Sequence, residues 1–133
     1  MTHTLYTTLV TLFLVLSSPY FFLRSLLREG YRKMLAQRMG CLPSLALKNP
    51  VWVHAASAGE VLCTIPLLRR IKRDFPKCEM IITTMTRTGN DLAKKQVPEA
   101  DAVLFFPFDH PFILRKVFRE IRPRLLLLAE TEL

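Results

Sequence analysis

The chain has 133 residues, half of them hydrophobic (50%), and nineteen Lys plus Arg against eleven Asp plus Glu give it a formal charge of +8 at pH 7. That length leaves room for one modest core, and the charge favours an anionic partner such as phospholipid headgroups, a phosphorylated substrate or nucleic acid. Cys41, Cys63 and Cys78 show no C-x-x-C spacing and no nearby histidine cluster, so neither a zinc site nor a disulfide framework is indicated, and a reducing compartment fits best.

Residues 4–23, TLYTTLVTLFLVLSSPYFFL, carry no charge. At about 1.5 Å per residue a helix of that length crosses about 30 Å of hydrocarbon, so the stretch reads as a single membrane-anchoring helix. A cleaved signal peptide is the competing reading, but no basic residue precedes the stretch and no A-x-A site follows it, although Ser17-Ser18-Pro19 is a mild helix breaker. Arg24, Arg28, Arg32, Lys33 and Arg38 come next, with Glu29 alone opposing them, and the positive-inside tendency puts the remainder in the cytoplasm. On a continuing helix Arg24, Arg28 and Arg32 share one side and can meet lipid phosphates; the plainer reading is a flank that only sets orientation. Residues 1–40 are therefore expected to be anchor and basic flank, and residues 41–50, with two prolines after Gly40, a linker.

From Val51 a short apolar run, a turn of small polar residues and an amphipathic segment alternate. Strands are expected at 51–55, 80–85, 102–106 and 125–129, and helices at about 59–74, 89–96 and 111–121, with Pro76, Pro98 and Pro123 stopping the helices. Alternation at this spacing predicts an α/β domain over 51–133, a parallel sheet with covering helices in the manner of a Rossmann-like half. No aromatic platform or recognition-helix pattern points to nucleic acid.

Ligands of open α/β sheets gather beyond the carboxyl ends of the strands, so the turns there are the candidate site. The first, HAASAGE, sets Ser57 and Glu60 in S-x-x-E register, a capping box in which the hydroxyl accepts from a free N–H and the carboxylate reaches back. In the functional alternative the small residues, Gly59 among them, let a substrate approach the helix N-terminus while Glu60 accepts a proton. The second, TTMTRTG, offers Thr88 as a cap for a helix that Gly89 opens, with Arg87 facing phosphate or water. In the fourth, Glu130 and Glu132 follow an apolar run, and residues two apart on an extended chain point the same way; they are either paired carboxylates or a solvated terminus. His54 and His110 are individually weak signals.

Taken in order, the apolar stretch, the Arg-rich flank, HAASAGEVLCTIPLLRRI, ITTMTRTG, FPFDHPFILRKVF and RPRLLLLAETEL closely resemble the amino-terminal half of 3-deoxy-D-manno-octulosonic acid (Kdo) transferases. The resemblance covers essentially the whole chain, and its H-x-x-S-x-G-E, T-T-M-T-x-T-G and E-T-E-L signatures are specific. It implies a GT-B glycosyltransferase of lipopolysaccharide synthesis at the cytoplasmic face of the inner membrane, moving Kdo from CMP-Kdo to the lipid A precursor. On that pattern Glu60 matches the general base, and Glu130, with Glu132 as the fallback, matches an acidic residue that supports positive charge at the sugar. By position, Ser57, Gly59, Thr84, Thr86, Thr88 and Gly89 shape the acceptor pocket. No metal and no cofactor beyond the donor CMP-Kdo is implied; the partners are the lipid A precursor and inner-membrane phospholipids.

Two departures stand out: Arg87 where the family usually has proline, and Ala58 where it usually has valine. The family continues after E-T-E-L with Trp-Pro-Asn and a second domain that holds CMP-Kdo. The expectation is thus a truncated acceptor-side domain, the donor domain lacking, with no unaided turnover unless a separate chain completes the cleft. The reading from another class is a noncatalytic membrane-anchored βαβ module that binds anionic lipid or a partner protein, with Glu60 only a cap.

Overall fold

The computed structural model describes residues 2–130, in the order α1 (Thr2–Leu27), α2 (Glu29–Arg38), β1 (Val51–Ala55), α3 (Ala58–Asp74), β2 (Met80–Thr84), α4 (Arg87–Gln96), β3 (Ala102–Phe105), α5 (Pro111–Ile121) and β4 (Leu125–Ala129). The chain divides into two compact units. One runs from the amino terminus to Pro43 and takes in Pro107–Arg119; the other comprises Ser44–Phe106 and the chain from Glu120.

The second unit holds a four-stranded sheet of order β3-β2-β1-β4, parallel throughout, with Val51 beside both Met80 and Leu125, and Ile81 beside Ala102. The expected α/β class and parallel sheet are present. A parallel sheet covered on both faces calls for unbroken apolar runs, and β1 (VWVHA) and β2 (MIITT) are buried almost throughout. On one face Val53, Ala55, Met80 and Ile82 pack with Val61, Ile65 and Leu68 of α3 and Ala93 of α4. The α3 residues recur four and then three positions apart, which keeps one side of a helix inward. Trp52 is fully buried, its indole N–H donating to Thr83 Oγ1 at 2.8 Å and its ring 5.8 Å from that of Phe106.

The helices stop where proline requires: α3 before Pro76, α4 before Pro98, α5 before Pro123. Strands β2 and β3 end one residue earlier than the sequence suggests, at Thr84 and Phe105. Helix α4 starts earlier than expected because Thr86, not Thr88, is its cap: Thr86 is extended (φ −106°, ψ 151°) and its hydroxyl accepts from Gly89 N–H at 3.0 Å. A cap hydroxyl reaches the N–H three residues on, and Gly89 is the residue at that distance.

In the other unit, α1 is long and apolar enough to cross a membrane by length and composition. Ser17-Ser18-Pro19 does not break it; Ser17 Oγ donates to the Phe13 carbonyl at 2.6 Å. The single continuing helix expected to align Arg24, Arg28 and Arg32 is not formed. Arg28 leaves the helical region (φ −146°, ψ 113°), and its carbonyl accepts from Tyr31 N–H at 3.0 Å and Arg32 N–H at 3.2 Å to start a new helix, which separates Arg24 from Arg32. The break lets buried Tyr31 stack on Phe21 of α1, ring centroids 6.4 Å apart. Gly40 ends α2 in the left-handed region (φ 83°), where Cys41 N–H reaches the Ala36 carbonyl at 2.8 Å, the closing bond of a Schellman motif. Asp109 and His110 in turn reach α1: the Tyr6 hydroxyl donates to the Asp109 carboxylate, and Thr11 Oγ1 lies 3.1 Å from His110 Nε2.

Candidate functional site

The carboxyl ends of β1 and β2 lie side by side in the sheet, so the two turns that follow them meet. Met85 N–H donates to the Ala56 carbonyl at 3.0 Å, joining the turns through their backbones. At Gly89 the approach is closest: a Cβ there would stand 3.3 Å from Ala58 N and from Ser57 C, and 3.0 Å from Thr86 Oγ1. Glycine is therefore required for packing, and its consequence is that the first turns of α3 and α4 sit together. Two helix N-termini in contact present their free N–H groups and the positive ends of their dipoles to one region, which favours an anionic group there.

The capping box read from the sequence is formed. Ser57 Oγ accepts from Glu60 N–H at 3.4 Å, while Glu60 Oε2 accepts from Ala56 N–H at 2.5 Å and from Ser57 N–H at 3.1 Å. The two bonds that Glu60 accepts fall on one oxygen. Glu60 is only partly buried, and Oε1 has no hydrogen-bond donor among the described residues. The carboxylate thus caps its helix with one oxygen and keeps the other for a further donor.

His54, the fourth residue of β1, adds a group that the sequence alone left weak. Its Nδ1 lies 3.1 Å from Thr83 Oγ1 and 3.2 Å from the Thr83 carbonyl, and its ring centroid lies 4.1 Å from that of Phe106. Burial pushes the imidazole below its ordinary range, against the opposing pull of the Thr83 carbonyl and of the Glu60 charge. The signal available beforehand was positional: His54 stands at a strand end six residues before Glu60, where a purely structural strand would carry another apolar residue.

The other predicted residues take distinct positions. Gly59 is exposed and open, with only Ser57 Oγ near its absent Cβ, at 3.9 Å. Thr84 is fully buried and its hydroxyl donates to the Thr86 carbonyl at 3.2 Å, so it braces the turn. Thr86 is the α4 cap; Thr88 and Arg87 are exposed in its first turn. Glu130 is exposed directly after Ala129, whose partner on β1 is Ala55, so it stands at the same end of the sheet as the Glu60 turn; among the described residues it has no ion-pair partner. Glu132 lies outside the described residues. No cluster of three or more His, Cys, Asp or Glu among the described residues is placed to hold a metal ion.

Residues 33–133 match the family model for 3-deoxy-D-manno-octulosonic-acid transferase (kdotransferase). A protein of that name from Haemophilus influenzae is 32% identical over 130 residues, which is 96% of this chain and 30% of the relative. One from Chlamydia pneumoniae is 31% identical over 119 residues, 87% of this chain and 27% of the relative; one from Rickettsia prowazekii is 32% identical over 83 residues, 62% and 18%. The chain thus spans about 30% or less of the length of these relatives. No solved structure matches it. By the match over most of its length, the chain belongs to the 3-deoxy-D-manno-octulosonic acid transferase family.

Proposed function

We propose that this chain is the acceptor-side half of a GT-B transferase that moves Kdo from CMP-Kdo to the lipid A precursor at the cytoplasmic face of the inner membrane. In this reading Glu60 Oε1 takes the proton of the acceptor hydroxyl as the acceptor oxygen bonds to the anomeric carbon. The bond from that carbon to the CMP phosphate oxygen breaks, and CMP departs with the electron pair. Glu130 supports the developing positive charge at the sugar. Ser57, Gly59, Thr84, Thr86, Thr88 and Gly89 build the acceptor pocket, in which the paired N-termini of α3 and α4 attract a phosphate of the glycolipid. CMP-Kdo is held by a second domain outside residues 1–133, no cofactor takes part, and the apolar helix with Arg24 and Arg28 associates with membrane phospholipid. The observation that carries the reading is Glu60 itself, partly exposed in the first turn of α3 with one oxygen free of the cap.

The cap bonds favour a second reading, a noncatalytic membrane-anchored βαβ module, since Glu60 has a complete structural role without chemistry. Two measurements separate them. The chain in detergent micelles should bind a lipid A precursor bearing phosphates and lose that binding when the phosphates are removed. Combined with a polypeptide supplying the donor-binding domain, it should transfer Kdo from CMP-Kdo, and Glu60→Gln, whose amide oxygen still caps, should abolish transfer while leaving precursor binding in place. Transfer that survives Glu60→Gln removes Glu60 as the base; failure to bind the precursor removes the acceptor-side assignment.

A further inference from the structure

Trp52 and His54 stand two apart on β1, point to the same face of the sheet, and both reach Thr83 of β2. An indole N–H only donates, so the bond from Trp52 Nε1 at 2.8 Å makes Thr83 Oγ1 an acceptor. Thr83 is 1% exposed, so its own hydroxyl proton must find an acceptor inside the protein. Among the described residues, the acceptor within reach is His54 Nδ1, 3.1 Å from Oγ1. A protonated Nδ1 could instead donate to the Thr83 carbonyl at 3.2 Å, but Oγ1 would then face two donors and its buried proton would have no acceptor. An unmade buried donor costs more than one neutral hydrogen bond returns, so in the neutral ring Nδ1 accepts.

We infer that Trp52 and Thr83 lock neutral His54 in the tautomer with its proton on Nε2, and that this N–H binds an oxygen of the acceptor glycolipid. Trp52 and Thr83 are positioning residues in this scheme; His54 makes the contact. The ring lies against that of Phe106, centroids 4.1 Å apart, which resists its turning over. Nε2 has no hydrogen-bond partner among the described residues and is not sealed from solvent. His54 sits at the carboxyl end of β1, three residues before Ser57, and on the face opposite Val53 and Ala55, which pack with α3. Its donor and the N-terminus of α3 therefore flank the end of β1 from two sides, set to hold different parts of one ligand. The partner is an oxygen with an open lone pair, on the sugar or on a phosphate. The substrate role rests on the acceptor-side reading above; the tautomer does not.

Long-range proton–nitrogen spectra of the full, isotope-labelled chain in micelles of an uncharged detergent show which ring nitrogen carries the proton, and His54→Phe identifies the signals. With the ring neutral, the wild type should carry it on Nε2. Thr83→Val removes the hydroxyl and should shift the population towards the Nδ1 form, which the backbone carbonyl there still accepts; Thr83→Ser should restore the wild-type form. Emission of Trp52, buried in the sheet, reports whether each variant is folded. Adding a phosphorylated lipid A precursor should move the Nε2 signals. His54→Phe should raise the precursor's dissociation constant roughly three- to tenfold, the loss of one hydrogen bond, while His54→Gln, whose amide also offers an N–H, should lose less. Movement of the same signals by inorganic phosphate alone would identify a phosphate oxygen, and movement by the precursor only, a sugar oxygen. A wild-type proton on Nδ1, or a tautomer indifferent to Thr83→Val, overturns the proposal, as does a precursor that binds without moving Nε2 or sensing His54→Phe. A chain that binds no precursor removes the substrate role together with the acceptor-side reading, while the spectra still decide the tautomer.

Discussion

Adding one methyl group at Gly89 tests how the two turns are held. The Cβ of Gly89→Ala would sit 3.0 Å from Thr86 Oγ1 and 3.3 Å from both Ala58 N and Ser57 C. Ser57 and Ala58 present backbone, so they cannot rotate aside, and Thr86 Oγ1 is the cap atom that accepts from Gly89's own N–H. Relief requires moving α4 off α3 or giving up the cap. Overpacking of this kind costs about 1–3 kcal/mol and a lost threonine cap about 1 kcal/mol, offset by up to about 1 kcal/mol from alanine's better helix propensity. The net expectation is destabilisation of about 1–3 kcal/mol. Gly59→Ala is the matched control: its Cβ meets only Ser57 Oγ at 3.9 Å, so the same propensity gain is unopposed and stability should be unchanged or rise by less than about 1 kcal/mol. Urea unfolding in micelles, followed through Trp52 emission, measures both. Equal effects of the two substitutions, or a Gly89→Ala protein as stable as wild type, would refute the close approach on which the paired N-termini depend.

Two further outcomes follow from buried polar groups. Both amide atoms of Asn90, 1% exposed, are buried without a hydrogen-bond partner, so Asn90→Leu, near in volume, should stabilise by about 1–2 kcal/mol in the same urea measurement. For His54, burial lowers the folded value below the ordinary 6.5, so the unfolded chain binds the proton more readily. The stability from the neutral imidazole is complete above the ordinary value and declines as pH falls from about 6.5 toward the lower folded value. Urea midpoints across that window should fall for the wild type and fall less steeply for His54→Gln.

The sheet was legible because its strands are short apolar runs between proline- and glycine-bearing turns, and runs of that length and spacing suit the strands of a parallel sheet. Bounds of β1, β4 and α5 read from the sequence coincide with those in the structure. The errors sit where two local signals compete. Thr86 and Thr88 are both acceptable caps by type, and only the distance from hydroxyl to Gly89 N–H decides between them. Arg24, Arg28 and Arg32 have helical spacing, but spacing says nothing of Tyr31, whose burial against Phe21 rewards a break at Arg28. The contest over Glu60, cap or base, was undecidable from residue types, since the answer lies in how two hydrogen bonds are shared between two oxygens. His54 was underweighted because its partners, Thr83 and Phe106, come from other strands or their ends.

The apolar helix α1 poses a last question of geometry. Tyr6 and Arg24 are separated by roughly 27 Å of helix at about 1.5 Å per residue, nearly the thickness of the hydrocarbon layer. If α1 crossed the bilayer with Arg24 at the cytoplasmic surface, Tyr6 would stand near the opposite surface, and Asp109, which accepts its hydroxyl, would have to follow it across. A charged carboxylate within the hydrocarbon costs several kcal/mol, far more than one exposed hydrogen bond returns. So the Tyr6–Asp109 and Thr11–His110 contacts and a spanning α1 are mutually exclusive. If the contacts persist in the membrane, α1 lies along the interface beside the loop before α5, with Arg24 and Tyr6 on the same side. Tyr6→Cys, in a background with Cys41, Cys63 and Cys78 replaced by serine, decides this with a membrane-impermeant maleimide applied to sealed vesicles of both orientations. Labelling at position 6 should occur from the face that also labels Asp109→Cys. Labelling of the two positions from opposite faces would establish a spanning helix and dissolve the contacts.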